Sequence, residues 1–271
     1  MKSIKLAFFQ YAVFHHSPEE NFEYIRQAAE HKRCDLLTLP ELFSCGYAFQ
    51  DKKQLAGFAE QLEQSRTVQF LQQIARSIDG AVSGTIPELG RNGEIYNTAV
   101  LVDKNGLIGT QRKIHLPNYE KQFFSPGDDI NVFSVTNSGI KTGMMTCFDS
   151  WFPEVALIMR RKKAGIILNS ACFGGNVTPQ ILPVRARENQ TFVVSCNRVG
   201  SEWFGEEEEH FCGMSQIISP DGRIITSADN REWWGEADVD LDEKPAFSSL
   251  ICRDFEAEHQ KYKVTLNRED G

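Results

Sequence analysis

Histidine is scarce in this chain of 271 residues: six in all, with no pair at metal-ligating spacing. A metal centre would lack its commonest ligand, and none is expected. The seven cysteines, Cys34, Cys45, Cys147, Cys172, Cys196, Cys212 and Cys252, are odd in number and scattered, with no C-x-x-C pair. That pattern argues against a disulfide framework and for a reducing, cytoplasmic compartment. Basic charge is short too: 29 Lys+Arg against 37 Asp+Glu leave a net charge of −8, which argues against general nucleic-acid binding. No apolar run approaches membrane-spanning length, so no membrane partner is expected. The opening residues, Met1 to Leu6, run straight into a strand and carry no signal-peptide pattern. No Gly/Ser linker or composition break divides the chain. A single domain is expected over residues 1–271, with its core at 4–241 and a more polar tail at 242–271.

What is present is an alternation of strands and helices. Ile4 to Gln10, Asp35 to Pro40, Ala81 to Pro87, Tyr96 to Val102 and Leu107 to Gln111 read as strands. So do Val132 to Val135, Lys141 to Thr146, Gly165 to Ser170, Thr191 to Arg198, Phe211 to Ile218, Arg223 to Ala228 and Trp233 to Val239. Several are apolar throughout, the mark of strands covered on both faces. Ser17-Pro18-Glu19-Glu20 reads as a helix start, with Phe22, Ile25, Ala28 and Ala29 facing inward. Gln54 to Ile78 has helical period with a break near Ser65. Pro153 to Lys162 and Pro179 to Asn189 are also expected as helices. Asp103-Lys104-Asn105-Gly106 is a hairpin signal, and Asn137-Ser138-Gly139 a turn. Arg112 to Ile130 and Val199 to His210 read as loops, the second carrying the acidic run Glu206 to Glu209. The pattern predicts an α/β fold in which a large mixed sheet system is covered by helices.

Three strand ends carry candidate chemistry: Glu41 after LLTLP, Lys113 after the Leu107 strand, and Cys147 after MMT. In open α/β sheets, ligands bind at that edge. Cys147 falls on the turn between a strand and a helix, where nearby backbone N–H groups can receive an oxyanion. Taken singly, each residue has a plainer reading: Glu41 a turn carboxylate, Lys113 a surface cation, Cys147 a packed core thiol. Together they supply a base, a cation and a nucleophile. A thiol must lose its proton to attack, which a neighbouring carboxylate can accept and an ammonium can favour. Histidine would serve as well, but only His115 lies in a suitable loop, so the carboxylate is favoured.

Leu39-Pro40-Glu41-Leu42-Phe43-Ser44-Cys45-Gly46-Tyr47, Arg112-Lys113-Ile114-His115-Leu116-Pro117 and Cys147-Phe148-Asp149-Ser150-Trp151-Phe152-Pro153-Glu154 resemble the three signature stretches of the nitrilase superfamily of carbon–nitrogen hydrolases. Their order and separation match as well. Phe124-Ser125-Pro126-Gly127, Arg185-Ala186-Arg187-Glu188-Asn189 and the stretch from Gly213 to Gly222 are similar to auxiliary motifs. The resemblance implies a four-layer α-β-β-α sandwich that dimerises, through the Cys-motif region and the tail, into an eight-layer assembly. It implies Glu41 as general base, Lys113 as oxyanion-stabilising cation, Cys147 as nucleophile and Glu120 as the second glutamate that positions substrate and water. The Phe148 N–H would be the other oxyanion donor, and no cofactor would be needed. Tyr47, Phe124, Trp151, Cys172 and Phe173 are expected pocket residues. Arg185, Arg187 and Glu188 are expected to hold their helix by ion pairs. Cys147-Phe148-Asp149 resembles the amidase and carbamoylase branches more than true nitrilases, which show Cys-Trp-Glu. The expected activity is hydrolysis of a small linear amide to acid and ammonia through a Cys147 thioester. The alternatives are an N-carbamoyl amine substrate, a nitrile, or an inactive scaffold homologue.

Overall fold

The computed structural model describes residues 3–135, 139–242, 255–259 and 261. Two six-stranded mixed sheets carry the chain. The first holds β1 (Ser3–Gln10), β2 (Leu36–Thr38), β3 (Ala81–Leu89), β4 (Ile95–Asp103), β5 (Gly106–Arg112) and β14 (Trp233–Asp240), in the order β14-β1-β2-β3-β4-β5. The second holds β6 (Val132–Ser134), β7 (Lys141–Thr146), β8 (Ile166–Ser170), β9 (Phe192–Cys196), β12 (Gln216–Ile218) and β13 (Ile224–Ser227), in the order β13-β12-β9-β8-β7-β6. Each has a parallel centre, β1-β2-β3 and β7-β8-β9, extended by antiparallel strands.

Side-chain alternation explains why strands this apolar form layers. In β1, Ile4, Leu6 and Phe8 point into an inter-sheet core, where Met144, Ile166, Leu168 and Val194 of the second sheet join them. The alternate residues Ala7 and Phe9 point the other way, against Ile25, Leu71 and Ile74. Those three belong to α1 (Pro18–Ala29) and α3 (Arg66–Ile78). On the far side, Met145, Ile167 and Val193 meet Val155 and Met159 of α4 (Pro153–Arg161) and Leu182 and Ala186 of α5 (Val177–Asn189). The result is the expected α-β-β-α sandwich. Each fully buried Leu or Ile in it contributes about 1.5–3 kcal/mol by leaving water.

Several elements differ in detail from the sequence-based reading. Helical period broke at Ser65 because Ser65 caps α3, its hydroxyl accepting the Val68 N–H at 3.0 Å. The preceding helical segment is short, α2 (Lys52–Ala56) followed by a 3₁₀ turn at Leu62–Gln64. Ser17 makes no side-chain cap at α1. The buried Asn21 ties the helix start instead, donating to Phe14 O at 2.8 Å and Ser44 O at 3.0 Å. Phe22 and Ala28 are only partly buried, and Asn21 takes the inward place. Residues 199–210 are not a plain loop. They contain a hairpin of β10 (Ser201–Phe204) and β11 (Glu207–His210), turned at Gly205 with φ +68°. Four consecutive glutamates hide a strand from propensity. Phe211 to Ser215 is not strand, since Gly213 and Met214 both take positive φ. The turn expected around Asn137 and Ser138, and nearly all of the tail after Asp242, lie outside the described residues. A sixth short helix, α6 (Phe255–His259), is described within that tail. No helix among the described residues is long and apolar enough to cross a membrane.

Candidate active site

The C-terminal ends of β2, β5, β7 and β8 meet, and each delivers part of one polar cluster. Glu41 follows β2. Its N–H donates to Ala171 O at 3.2 Å, which joins the end of β2 in one sheet to the end of β8 in the other. Leu42, the next residue, takes φ +48° and donates its N–H to the Thr85 hydroxyl at 2.8 Å. Lys113 follows β5. Its N–H donates to Asn97 O at 2.8 Å and its carbonyl accepts from Gly127 N at 2.7 Å. With the backbone fixed, the lysine side chain is fully buried between two carboxylates that are buried as completely. Its ammonium donates to Glu41 Oε1 at 2.8 Å and to Glu120 Oε1. Glu120 begins a 3₁₀ turn, Glu120–Gln122, inside the long aromatic segment after β5. Asn97 Nδ2 donates to the same Glu41 oxygen at 2.7 Å, and the Tyr47 hydroxyl donates to Glu120 Oε1.

Cys147 follows β7 and opens a 3₁₀ turn, Cys147–Trp151, ahead of α4. Its φ is +45°, a left-handed conformation that strains a residue with a Cβ. The surrounding bonds hold it there. Asp149 Oδ2 accepts the Thr146 N–H at 3.2 Å, closing the turn on itself. Asp149 Oδ1 accepts from His115 N and His115 Nδ1, each at 2.9 Å, which ties the turn to the segment after Lys113. Arg185 on α5 donates to Ser150 O at 2.9 Å and Trp151 O at 3.1 Å. The first N–H groups of such a turn have no acceptor within it.

The charges define what the cluster can do. Burial pushes the Cys147 thiol well up, and Glu41 adds to that, while Lys113 pulls it down. Burial thus favours the thiol form of the sulfur, and Glu41, Lys113 and Glu120 all lie close enough to act on it. Burial likewise raises Glu41, to about 7, against the downward pull of Lys113 and Asn97. Burial alone would lower Lys113. Glu120 and Glu41 outweigh it and hold the ammonium well above the ordinary lysine value. The arrangement is a fixed cation, a carboxyl poised near neutrality and a thiol that needs a base. Glu41 Oε2 and Glu120 Oε2 are both buried without a hydrogen-bond partner, the free valences of the cluster.

The structure thus brings Glu41, Lys113, Glu120 and Cys147 together. Tyr47 joins them through Glu120. Cys172 is buried, and its carbonyl accepts the Cys147 thiol at 3.7 Å. Phe173 shares a small apolar cluster with Cys147 and Ala171. Phe124 packs instead among Leu42, Phe49, Leu116 and Phe123, and its edge lines a cavity of about 460 Å³ beside Phe148 and Phe152. Trp151 faces outward, 44% exposed, with its Nε1 donating to the Thr178 hydroxyl at 3.0 Å. Arg185 pairs with Glu188 at 2.9 Å, while Arg187 donates to Asp221 O at 2.9 Å rather than to a carboxylate. Asn97, Asp149 and the buried pair Arg198–Glu202 were not singled out by sequence reasoning. Asn97 is one of several buried polar residues of β4, with Thr98 and Asp103, so nothing in the strand's own pattern set it apart.

Residues 5–244 match the model of the carbon-nitrogen hydrolase family. The chain belongs to this family. It is 35% identical over 244 residues to a protein of Pyrococcus abyssi named a nitrilase, covering 88% of this chain and 90% of that one. It is 34% identical over 218 residues to the (R)-stereoselective amidase of a Pseudomonas species, covering 78% and 75%. Among solved structures, a mutant of the amidase from Nesterenkonia sp. AN1 superposes with a TM-score of 0.76 at 25% identity, covering 88% of this chain and 94% of that one. That structure shows the result of Michael addition of acrylamide at the active-site cysteine. The match to the carbon–nitrogen hydrolases agrees with the motifs at Glu41, Lys113 and Cys147 and with the four-layer fold.

Proposed function

We propose that this carbon–nitrogen hydrolase cleaves small linear amides to acid and ammonia through a thioester on Cys147. The observation that carries the reading is the buried Lys113 ammonium held between Glu41 and Glu120, with Cys147 on the turn after β7 beside them. Glu41 takes the thiol proton as sulfur attacks the amide carbon. Lys113 and the Phe148 N–H stabilise the oxyanion, each such donor supplying about 3–4 kcal/mol. The C–N bond then breaks, and Glu41 returns the proton to the departing ammonia. Water enters, gives a proton to Glu41 and attacks the thioester with Glu120 aligning it. The C–S bond breaks, and the acid leaves as the thiol is restored. A carboxyl poised near neutrality suits both halves, because it must accept and then donate. The acrylamide adduct on the cysteine of the related amidase supports an amide-sized pocket at the equivalent thiol.

One observation favours a second reading, an N-carbamoyl amine. In the β10–β11 hairpin, Phe204 lies opposite Glu207 and Glu202 opposite Glu209, so these four share a face. Phe204 packs on Tyr47 and Tyr119, and the exposed Glu207 and Glu209 on its face put acidic charge on the same hairpin, which suits a cationic amine. Ammonia release from a panel of neutral amides, carbamoyl amines and nitriles separates the readings. Turnover of neutral amides supports the first, and turnover confined to carbamoyl amines or nitriles replaces it. A homodimer belongs to the same proposal. Val177 and Val184 of α5 stand 45% and 53% exposed, apolar side chains that a partner would cover. A light-scattering mass of one chain would remove that part.

A further inference from the structure

Tyr47 donates its hydroxyl to the same Glu120 oxygen that takes the Lys113 ammonium, and a second buried ion pair holds Tyr47. Glu202 on β10 and Arg198 ahead of it are each 1% exposed at the side chain. Glu202 Oε2 accepts the N–H of Tyr47 at 2.8 Å and of Ala48 at 2.7 Å, and Oε1 takes the Arg198 guanidinium. Arg198 also donates to Val13 O at 3.0 Å and lies 4.5 Å over the Phe211 ring. We propose that the Arg198–Glu202 pair is a positioning device, which sets the Tyr47 hydroxyl on Glu120 and so fixes the acid that flanks Lys113.

Three features give the pair this use. A buried ion pair is no better for stability than an apolar pair of the same volume, so its worth lies in the groups it orients. Both Glu202 oxygens accept from buried donors, and the Tyr47 and Ala48 N–H groups cannot swing away without leaving those buried groups underbonded. Gly46 has φ +83°, and a Cβ there would stand 2.6 Å from Glu202 Oε1, so the loop admits the carboxylate only because residue 46 has no side chain. The loop is also fixed from other sides. His15 Nε2 bonds Ala48 O at 2.7 Å and lies 3.9 Å from Glu202 Oε2. Phe49 N donates to the Tyr119 hydroxyl at 2.9 Å, and Phe204 packs on Tyr47 and Tyr119 with ring centroids 5.9 and 4.8 Å away. The hydroxyl of Tyr47 therefore has one place to point.

The proposal rests on the amide-hydrolase reading for its effect on turnover, so the test reads Cys147 alkylation by iodoacetamide, which needs no hydrolysis. Released from Tyr47, Glu120 draws on Lys113 and weakens the cation's hold on the sulfur. Glu202→Gln and Tyr47→Phe are each expected to slow alkylation about tenfold, the loss of one hydrogen bond to a charged group. The double variant is expected to be no slower than the slower single one. Slowing by the product of the two, about a hundredfold, would mean independent action and overturn the proposal. So would Glu202→Gln alkylating at the wild-type rate with only its melting temperature lowered. If Glu202→Gln does not fold, Arg198→Lys takes its place in the same cycle, since lysine keeps the charge but not the two-pronged contact. The amide reading fails on a separate result, the absence of ammonia release from the wild-type protein.

Discussion

Asn97→Leu tests the electrostatics of the base directly. Asn97 Nδ2 donates to Glu41 Oε1 at 2.7 Å, while Asn97 Oδ1 is buried without a partner. Leucine has nearly the same shape, removes the donor and strands no other side-chain bond. A hydrogen bond to a charged group is worth about 1.5–3 kcal/mol, and about 1.4 kcal/mol is one pKa unit. Because the neutral acid also gains something from Asn97, and Lys113 stays on the same oxygen, the net expectation is about one unit. The sign follows from which form the bond favours. Asn97 stabilises the carboxylate, so its loss raises Glu41 above its present value of about 7. Glu41 must be ionised to accept the thiol proton. The acid limb of kcat/KM for ammonia release should therefore fall near 7 in the wild type and about one unit higher in the variant. An acid limb that stays in place, or moves to lower pH, would refute Glu41 as the group that titrates.

Other substitutions probe other parts of the account. Cys147→Ala should abolish ammonia release and leave the urea midpoint near wild type, since it removes one sulfur from a turn held by Asp149 and Arg185. Lys113→Met leaves Glu41 and Glu120 buried without their cation. It should cost about 3–5 kcal/mol in urea denaturation at neutral pH. Asp149→Ala strands the N–H groups of Thr146 and His115. A loss of about 2–4 kcal/mol is expected, with a fall in kcat as the Cys147 turn loosens. Leu168→Ala opens the inter-sheet core and should cost about 2–5 kcal/mol without changing the pH profile.

The fold was legible wherever burial dominates. Strands such as Gly165 to Ser170 are apolar because both faces are covered, and α3 starts at Ser65 because its hydroxyl satisfies a free N–H. The hairpin at Ser201–His210 was hidden because its pairing depends on a neighbour, not on its own composition. Glu41, Lys113 and Cys147 could be picked out as side chains of reactive type at strand ends. Asn97, Glu202 and Arg198 could not. Their roles come from contacts between residues far apart in the chain, such as Asn97 to Glu41 across 56 positions and Glu202 to Tyr47 across 155. Phe124 and Trp151 show the reverse case: aromatic residues inside or beside the motifs, one packed away from the carboxylates and one turned to solvent.

The most direct measurement is peptide mass spectrometry on rapidly quenched reactions with a neutral amide, in the wild type and in Glu41→Gln. The account predicts an acyl mass on the peptide containing Cys147 and on no other cysteine, persisting in Glu41→Gln if it forms there, because deacylation also needs the base. Acylation at another cysteine, or ammonia release at the wild-type rate from Cys147→Ala, would contradict it.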